Sequence, residues 1–118
     1  MKRTLNKGYQ FRRVFRTGKT FRGESFRAVY VSNTLGFIRL GFSLSAKSGN
    51  AVSRNLMRRR VRSLAREESV GIDLVILPEG KLRGIGWDSV KRDFEKMMDL
   101  VMNNVSKKND ESDDNGER

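Results

Sequence analysis

The chain has 118 residues, which is enough for one compact domain with an apolar core but too few for two ordinary domains. It contains no cysteine and no histidine, and this excludes disulfides, thiol nucleophiles, imidazole bases and the usual zinc ligands. The net charge of +11 predicts a polyanionic partner, while the lack of a long apolar run or an apolar leader predicts a soluble, cytoplasmic protein.

The positive charge is concentrated in the first part of the chain. Residues 1–66 contain 17 of the 25 lysines and arginines and a single acid, Glu24, whereas residues 67–118 contain eight bases and 13 acids. This asymmetry predicts a basic face built by the first part, with the acidic remainder turned elsewhere. The candidate partners are nucleic acid and an anionic membrane.

The first predicted element is a helix over residues 7–16, with Asn6 as its N-cap and Gly18 as its C-terminal stop. Its apolar side chains recur at helical spacing and are expected to face the body of the protein: Phe11, Val14 and Phe15. The two phenylalanines either pack in the core or offer a ring for stacking on a nucleobase, and only one of them could be partly exposed.

Two alternating stretches follow, residues 20–31 and 37–44. The first places Phe26, Ala28 and Tyr30 on one face of a strand, opposite Arg27, Val29 and Val31. The second alternates in the same way and starts after a turn, "SNTLG". We therefore predict that the two stretches are the strands of one antiparallel hairpin.

The stretch "GNAVSRNLMRRRVRSLARE" predicts a helix over about residues 50–67. One stripe of this helix is apolar and can dock on a core: Met57, Val61, Leu64 and Ala65. An adjoining arc collects polar groups, namely Arg54, Asn55, Arg58, Arg59, Arg62 and Arg66. Arg60 lies off this arc and is expected to be solvated charge.

The apolar run "IDLVILP" predicts a buried strand, and a basic loop, "EGKLRGIG", comes next. The last helix is predicted to begin near Asp88, with an apolar stripe of Trp87, Val90, Phe94, Met97, Val101 and Val105. Residues 107–118 contain no apolar residue and predict a disordered acidic tail, which leaves a single domain over residues 1–106.

The arginine arc is either an ordinary solvated helix face or a surface that binds a polyanion. Almost no acid stands three or four residues from its arginines, so their repulsion is not relieved within the helix. Arginine also suits bidentate phosphate contacts better than lysine does. The helix start, "SGNA", adds backbone N–H groups beside Lys47. These features favour polyanion binding.

A nuclease that cuts phosphodiesters with its own Mg²⁺ ions is a competing hypothesis, because such sites need clustered carboxylates. The basic part of the chain offers only Glu24. Other acids, such as Asp88, Glu95 and Asp99, are predicted on the outer side of the last helix. The charge pattern therefore disfavours a metal site on this chain.

The stretch "SAKSGNAVSRNLMRRRVRSLARE" resembles the signature of the bacterial ribonuclease P protein component. The matching positions are Lys47, Gly49, Ala51, Val52, Arg54, Asn55, Arg58, Arg59 and Arg62. The N-terminal "LNKGYQFRRVFRTGK" and the strand "RLGFSLSAK" are also similar to segments of that family, so the resemblance covers about residues 3–105.

The resemblance implies a two-layer α/β sandwich with a four-stranded mixed sheet, similar to a ribosomal-protein domain. It also implies a left-handed β-α-β crossover through the arginine helix, against the general preference. In the family the RNA subunit removes the 5′ leader of precursor tRNA with Mg²⁺, which is expected to be bound mainly by that RNA and the substrate. The implied partners are ribonuclease P RNA and precursor tRNA, with neither a membrane nor a protein partner.

The resemblance also implies two groups of site residues. The groups expected to face the catalytic RNA are Lys47, Gly49, Asn50, Arg54, Asn55, Arg58, Arg59, Arg62 and Arg66. The groups expected to line a cleft for the leader are Phe11, Arg12, Phe15, Arg27, Val29 and Arg39.

The sequence departs from the family pattern in three places. Leu56 replaces a basic residue, and Val29 replaces a tyrosine of the cleft, which predicts weaker stacking on the leader. Pro78, Glu79 and Gly80 stand where many members have bases, so Lys81 becomes the candidate substitute. A stand-alone RNA-binding module of ribosomal-protein type remains the alternative function.

Overall fold

The computed structural model describes residues 3–116, with side chains described for residues 3–104. Its elements in chain order are α1 (Gly8–Thr17), β1 (Lys19–Arg22), β2 (Phe26–Ser32), β3 (Arg39–Phe42), α2 (Ala51–Arg66), β4 (Ile72–Pro78) and α3 (Trp87–Gly116). The strands form one mixed sheet in the order β1-β2-β4-β3. β2 pairs antiparallel with β1 and β4, whereas β3 pairs parallel with β4. The predicted α+β fold with a four-stranded mixed sheet is confirmed.

The predicted hairpin of residues 20–31 and 37–44 is wrong in its pairing. The first stretch is interrupted at residues 23–25, where Gly23 N donates a hydrogen bond to Phe26 O at 2.9 Å and closes a turn between β1 and β2. β2 therefore has β1 on one edge and β4 on the other. No edge of β2 is left for β3, which lies on the far side of β4.

Asp93 of α3 holds the turn between β1 and β2 in place. Its buried carboxylate accepts hydrogen bonds from the backbone N and the hydroxyl of Ser25. A Cβ atom at Gly23 would come within 2.6 Å of this carboxylate, so the approach requires glycine. A break that sequence alternation does not show is thus fixed by a contact with the last helix.

The main core lies between the sheet and the helices α2 and α3. Phe26, Ala28 and Tyr30 of β2 point into it, as the alternation predicts. Residues of β4 alternate in the same way, although the sequence reads as one continuous apolar run, because both faces of this central strand are covered. The side chains that α2 and α3 contribute to the core are Met57, Val61, Ala65, Val90, Phe94, Met97, Met98 and Val101.

A smaller core lies on the opposite face of the sheet, under α1. Leu5 and Val14 pack there against Val29 and Val75, with three half-buried neighbours, Phe11, Val31 and Leu77. Arg27 on the same sheet face is half-buried as well. This region is where the leader cleft is predicted.

Of the two predicted ends of α1, the C-terminal end is confirmed and the N-terminal end is not. Gly18 is the C-cap, and its N–H donates to Val14 O at 2.8 Å. The N-cap is Lys7 instead of Asn6, because the side-chain oxygen of Gln10 accepts hydrogen bonds from the backbone N of both residues at 2.9 Å. Gln10, the third residue of the helix, thus reaches back to the N–H of the N-cap, whereas a capping side chain at Asn6 would have accepted from an N–H inside the first turn.

The predicted stripe of α3 is confirmed at Val90, Phe94, Met97 and Val101, which are all buried. Trp87 remains 38% exposed at the helix start and is not a core residue. The side chain of Val105 lies outside the described residues. None of the described helices is long and apolar enough to cross a membrane.

The backbone of α3 continues as a helix through Gly116, past residue 107, where the sequence predicts a disordered tail. The side chains of residues 105–118 lie outside the described part of the structure. The boundary between domain and tail therefore stays a prediction.

Candidate nucleic-acid interface

Helix α2 presents its apolar stripe to the core and its arginines to the surface. Met57, Val61 and Ala65 are buried, whereas Leu64 is only half-buried. The helix starts at an ordered N-cap, because Asn50 Oδ1 accepts a hydrogen bond from Ser53 N at 2.9 Å. The separation of an apolar stripe from a polar arc is thus confirmed.

We call the group Arg54, Asn55, Arg58, Arg59, Arg62 and Arg66 the arginine arc. Arg59, Arg62 and Arg66 are exposed, and Arg54 and Arg58 are half-buried. Arg58 donates to the side-chain oxygen of Asn55 at 2.9 Å, so these two groups support each other. None of the ion pairs found among residues 3–104 includes a member of the arc. Its positive charge is therefore not neutralised by the described part of the chain.

The loop after β4 extends this basic surface beyond the start of α2. Lys81 Nζ donates a hydrogen bond to Lys47 O at 2.9 Å, and Leu82 N donates to Ser48 O at 2.7 Å. The structure thus brings Lys81, the candidate substitute for the missing bases, beside the predicted site residue Lys47. A shallow pocket here is lined by Ala46, Lys47, Ser48, Gly49, Asn50, Lys81 and Arg83. Three cations consequently surround a helix N-terminus, which itself attracts anions.

Gly49 allows the two loops to approach each other. A Cβ atom at this position would lie 3.2 Å from Ser53 Cβ and 3.3 Å from Leu82 Cβ. The glycine in the sequence motif therefore has a packing reason, because it keeps the loop after β4 close to the start of α2.

Arg60 is not the solvated charge that the sequence predicts. Its Nη1 donates a hydrogen bond to Ile85 O at 2.8 Å, and the residue is half-buried against the loop after β4. The prediction failed because helical periodicity shows only that Arg60 lies off the arc. It does not show which loop passes beside it.

The two phenylalanines of α1 have different environments. Phe11 is half-buried and packs over Gly41 of β3, where a Cβ atom would come within 2.8 Å of Phe11 Cζ. Phe15 is 45% exposed and offers an accessible ring. Arg12 is also exposed, whereas Val29 is buried and offers little surface for stacking.

Arg39, predicted as a cleft residue, uses its guanidinium to neutralise a buried acid. Its Nε and Nη2 contact the two carboxylate oxygens of Asp73 at 3.0 and 2.7 Å. Arg13 of α1 contacts the same carboxylate at 3.2 Å, and Asn33 donates to it at 2.9 Å. The hydrogen bond to Asp73 raises the pKa of Arg39 above its ordinary value, against the opposing effect of burial. Arg39 therefore carries a charge that is already paired.

Arg27 lies near the other end of the same sheet face, and its positive charge is partly neutralised. Its Nε donates to Pro78 O at 3.2 Å and lies 3.6 Å from a carboxylate oxygen of Glu79. Both partners belong to the segment in which this chain departs from the family pattern. The basic character of the predicted cleft is weaker here than the sequence suggests.

Sequence reasoning missed two groups that the fold brings into the site. Asp73 was hidden inside an apolar run, although an acid flanked by buried residues signals a partner cation. Arg83 gave no signal beyond its charge. Within the described residues, no three acidic side chains come together in a way that could hold a metal ion.

The fold and this surface define a small α+β protein whose basic helix face attracts anions. A family model described as ribonuclease P matches residues 1–101. The ribonuclease P protein component of Natranaerobius thermophilus is 34% identical over 109 residues, which cover 86% of this chain and 95% of that protein. The component from a Thermoanaerobacter species is 32% identical, with 80% of this chain and 84% of that protein covered.

Solved structures agree with this assignment. The RNase P protein from Thermotoga maritima has a TM-score of 0.69 at 26% identity and covers 80% of this chain and 93% of its own. The Staphylococcus aureus protein has a TM-score of 0.74 at 21% identity, covers 86% and 96%, and supports the fold alone. The chain belongs to the ribonuclease P protein component family.

Proposed function

We propose that this chain is the protein subunit of ribonuclease P, and that it binds the catalytic RNA and the 5′ leader of precursor tRNA. The observation that carries the proposal is the arginine arc, in which three arginines are exposed and two are half-buried, and none forms an ion pair among residues 3–104. Binding of phosphates to such a row of arginines is favourable, because it relieves the repulsion between the guanidinium groups and releases the counterions condensed on the nucleic acid. The loop cations Lys47, Lys81 and Arg83 continue the row past the start of α2.

In this proposal the RNA subunit carries out the hydrolysis. The proposal is supported by the described residues, which bring no three carboxylates together in a way that could hold a metal ion. Mg²⁺ would be held by RNA phosphates and would activate the attacking water there. The protein contributes by neutralising phosphates near the metal-rich region and by positioning the substrate, which lowers the Mg²⁺ concentration that folding and cleavage require.

The leader is proposed to lie along α1 and the half-buried sheet residues beside it, such as Arg27. Phe15 supplies a ring for one base, and Arg12 supplies an exposed cation beside it. Arg39 contributes to the shape of this region through Asp73 and not as a free phosphate ligand. Because Val29 offers no aromatic ring, we expect leader binding to depend mainly on Phe15.

Leader removal at low Mg²⁺ tests the proposal directly. A precursor tRNA is incubated with a bacterial ribonuclease P RNA, with and without this chain, and the mature 5′ end is quantified. We expect the chain to accelerate cleavage. RNA binding without acceleration would favour a stand-alone RNA-binding module instead, and cleavage by the chain in the absence of ribonuclease P RNA would favour a nuclease.

The salt dependence of RNA binding tests the phosphate contacts. If about six phosphates are neutralised, affinity for ribonuclease P RNA should fall on the order of 10³-fold between about 50 and 200 mM salt. The measurement is a fluorescence titration at several salt concentrations. A nearly flat response would contradict the role assigned to the arginine arc.

A further inference from the structure

A second pocket lies at the end of the arginine arc that is farthest from the start of α2. It has a volume of about 260 Å³ and is formed between the N-terminal segment, β3 and α2. This volume is below the usual range for a drug-sized ligand and suits a small group. The residues that line it are Arg3, Thr4, Ile38, Leu40, Arg62, Ala65 and Arg66.

The N-terminal segment is ordered at this pocket by backbone pairing with β3. Leu40 N donates to Arg3 O at 2.8 Å, and Leu5 N donates to Leu40 O at 2.9 Å. The guanidinium of Arg3 also lies over the ring of Phe37, 4.9 Å from its centroid. Arg3 is therefore held at the pocket by the fold, although sequence motifs give it no role.

The charge of the pocket is strongly unbalanced. Three of its lining residues are arginines, and none is an acid. In the described part of the chain, none of these arginines takes part in an ion pair. The C-terminal end of α2 contributes only about half a negative charge, which is small beside three full positive charges.

We propose that this pocket binds one internal phosphodiester group of an RNA strand, held between Arg3 and Arg66 with Arg62 beside them. Guanidinium groups bind phosphate oxygens through paired hydrogen bonds, and three of them around one small pocket provide more donors than one phosphate requires. The site extends the RNA contact of α2 to the N-terminal segment. The choice of RNA as the source of the phosphate rests on the proposed function.

Dinucleotide binding tests the pocket without any ribonuclease P RNA. The full chain, labelled for NMR, is titrated with adenylyl-adenosine, which has one internal phosphodiester, and with adenosine as the uncharged control. We expect amide shifts at Leu40 and Ala65 with the dinucleotide and not with adenosine. Equal shifts with both compounds, or shifts confined to the start of α2, would overturn the proposal. A third titration with 5′-AMP identifies the source, because binding only to this monoester would indicate a free nucleotide and would also overturn it.

Charge-removing variants test whether the two outer arginines share one phosphate. Arg3→Gln and Arg66→Gln should each lower RNA affinity about 10-fold and reduce the slope of log affinity against log salt by about one. The double variant should reduce that slope by about one in total, because both side chains contact the same phosphate. A reduction of about two would mean two separate phosphates and would contradict the shared site.

Arg92→Gln is the matched control, because Arg92 is exposed on α3 and does not line the pocket. It removes the same charge and should leave affinity nearly unchanged. If it weakens binding as much as Arg66→Gln does, the effect is one of net charge and the pocket has no specific role. Phe37→Leu keeps the charge of Arg3 and removes the ring beneath its guanidinium. Retention of most of the affinity would show that loss of the Arg3 contact with Phe37 does not cause the weaker binding of Arg3→Gln.

The outcomes also separate this inference from the proposed function. If the chain fails to accelerate leader removal but its pocket binds adenylyl-adenosine, the proposed function is wrong and the pocket assignment stands. If the chain accelerates leader removal and the pocket variants behave like Arg92→Gln, only the pocket assignment is wrong.

Discussion

Two arginines at the contact between α1 and the sheet have the same chemistry as the arginines of α2 but different partners. Arg13 and Arg39 contact the buried carboxylate of Asp73, whereas Arg59 and Arg62 contact no carboxylate in the described part of the chain. The first group holds α1 and β3 against β4. The second group remains available for a polyanion. The comparison shows that the number of arginines in a segment does not measure its capacity to bind phosphate.

The difference follows from the position of one acid. Asp73 is 1% exposed, and a buried carboxylate is costly unless donors surround it. Arg39 supplies two hydrogen bonds, and Arg13 and Asn33 supply one each. Among residues 3–104, no such acid forms an ion pair with helix α2, so this part of the chain leaves the charge of the helix to other groups.

Removal of Asp73 should produce the largest effect on stability. Asp73→Ala leaves Arg39 without its partner, and we expect a loss of about 3–4 kcal/mol in the free energy of unfolding. Urea denaturation measures this loss. Asp99→Ala, on the exposed side of α3, is the control and should change stability by less than about 0.5 kcal/mol. A loss under about 1 kcal/mol for Asp73→Ala would mean that its ion pairs contribute no more to stability than ordinary surface ion pairs do.

Truncation of the apolar stripe of α2 should have the next largest effect. Met57 is buried, and Met57→Ala should cost about 3 kcal/mol. Val52 lies on the same helix with 75% of its surface exposed, so Val52→Ala is the matched control and should cost almost nothing. Thermal unfolding compares the two variants. Leu64 is less informative because it is only half-buried. Similar losses at Met57 and Val52 would mean that α2 docks in a different orientation.

Single arginine substitutions on the two sides should separate binding from folding. Arg59→Gln should lower affinity for ribonuclease P RNA about 10-fold and leave stability within about 0.5 kcal/mol of the parent. Arg13→Gln removes the same charge from the paired group, and it should lower stability by about 1 kcal/mol with little change in affinity. Fluorescence titration and urea denaturation of both variants test the contrast. If both variants weaken RNA binding equally, the distinction between paired and unpaired arginines is wrong.

Substitution of Arg60 should have the smallest effect, and it should change the stability of the protein but not its RNA binding. Arg60→Gln removes the hydrogen bond to Ile85 O, and we expect a loss of about 1 kcal/mol without a change in the salt dependence of RNA binding. Arg59→Gln serves as the neighbouring control in the same denaturation experiment. A weaker salt dependence in Arg60→Gln would show that Arg60 contacts phosphate after all.

Features that depend on a single helix or strand could be predicted from the sequence. The stripe and arc of α2 were predicted because both follow from one helical period. The two faces of β2 and the end of α1 at Gly18 were predicted for the same reason, since each depends on neighbours only a few residues away. The family resemblance added the number of strands, which local patterns did not give.

Pairings between distant segments could not be predicted in this way. The wrong hairpin arose because alternation shows that a segment is a strand but does not show which strand lies beside it. The loop that carries Lys81 and Ile85 reaches α2 because β3 and β4 are parallel neighbours. The C-terminal end of β3, which leads to α2, and the C-terminal end of β4, which leads to this loop, therefore lie at the same edge of the sheet.

The sequence by itself determined that this protein has a strongly basic helix face. It also determined that the chain contains no cysteine and no histidine, and therefore neither thiol nucleophiles nor the usual zinc ligands. Only the tertiary structure decided which of the described arginines are paired with a carboxylate and which are not. The physical reason is that a guanidinium is neutralised by whichever carboxylate lies within hydrogen-bonding distance. Asp73 reaches Arg39 across 34 residues of sequence because β3 and β4 are neighbours in the sheet.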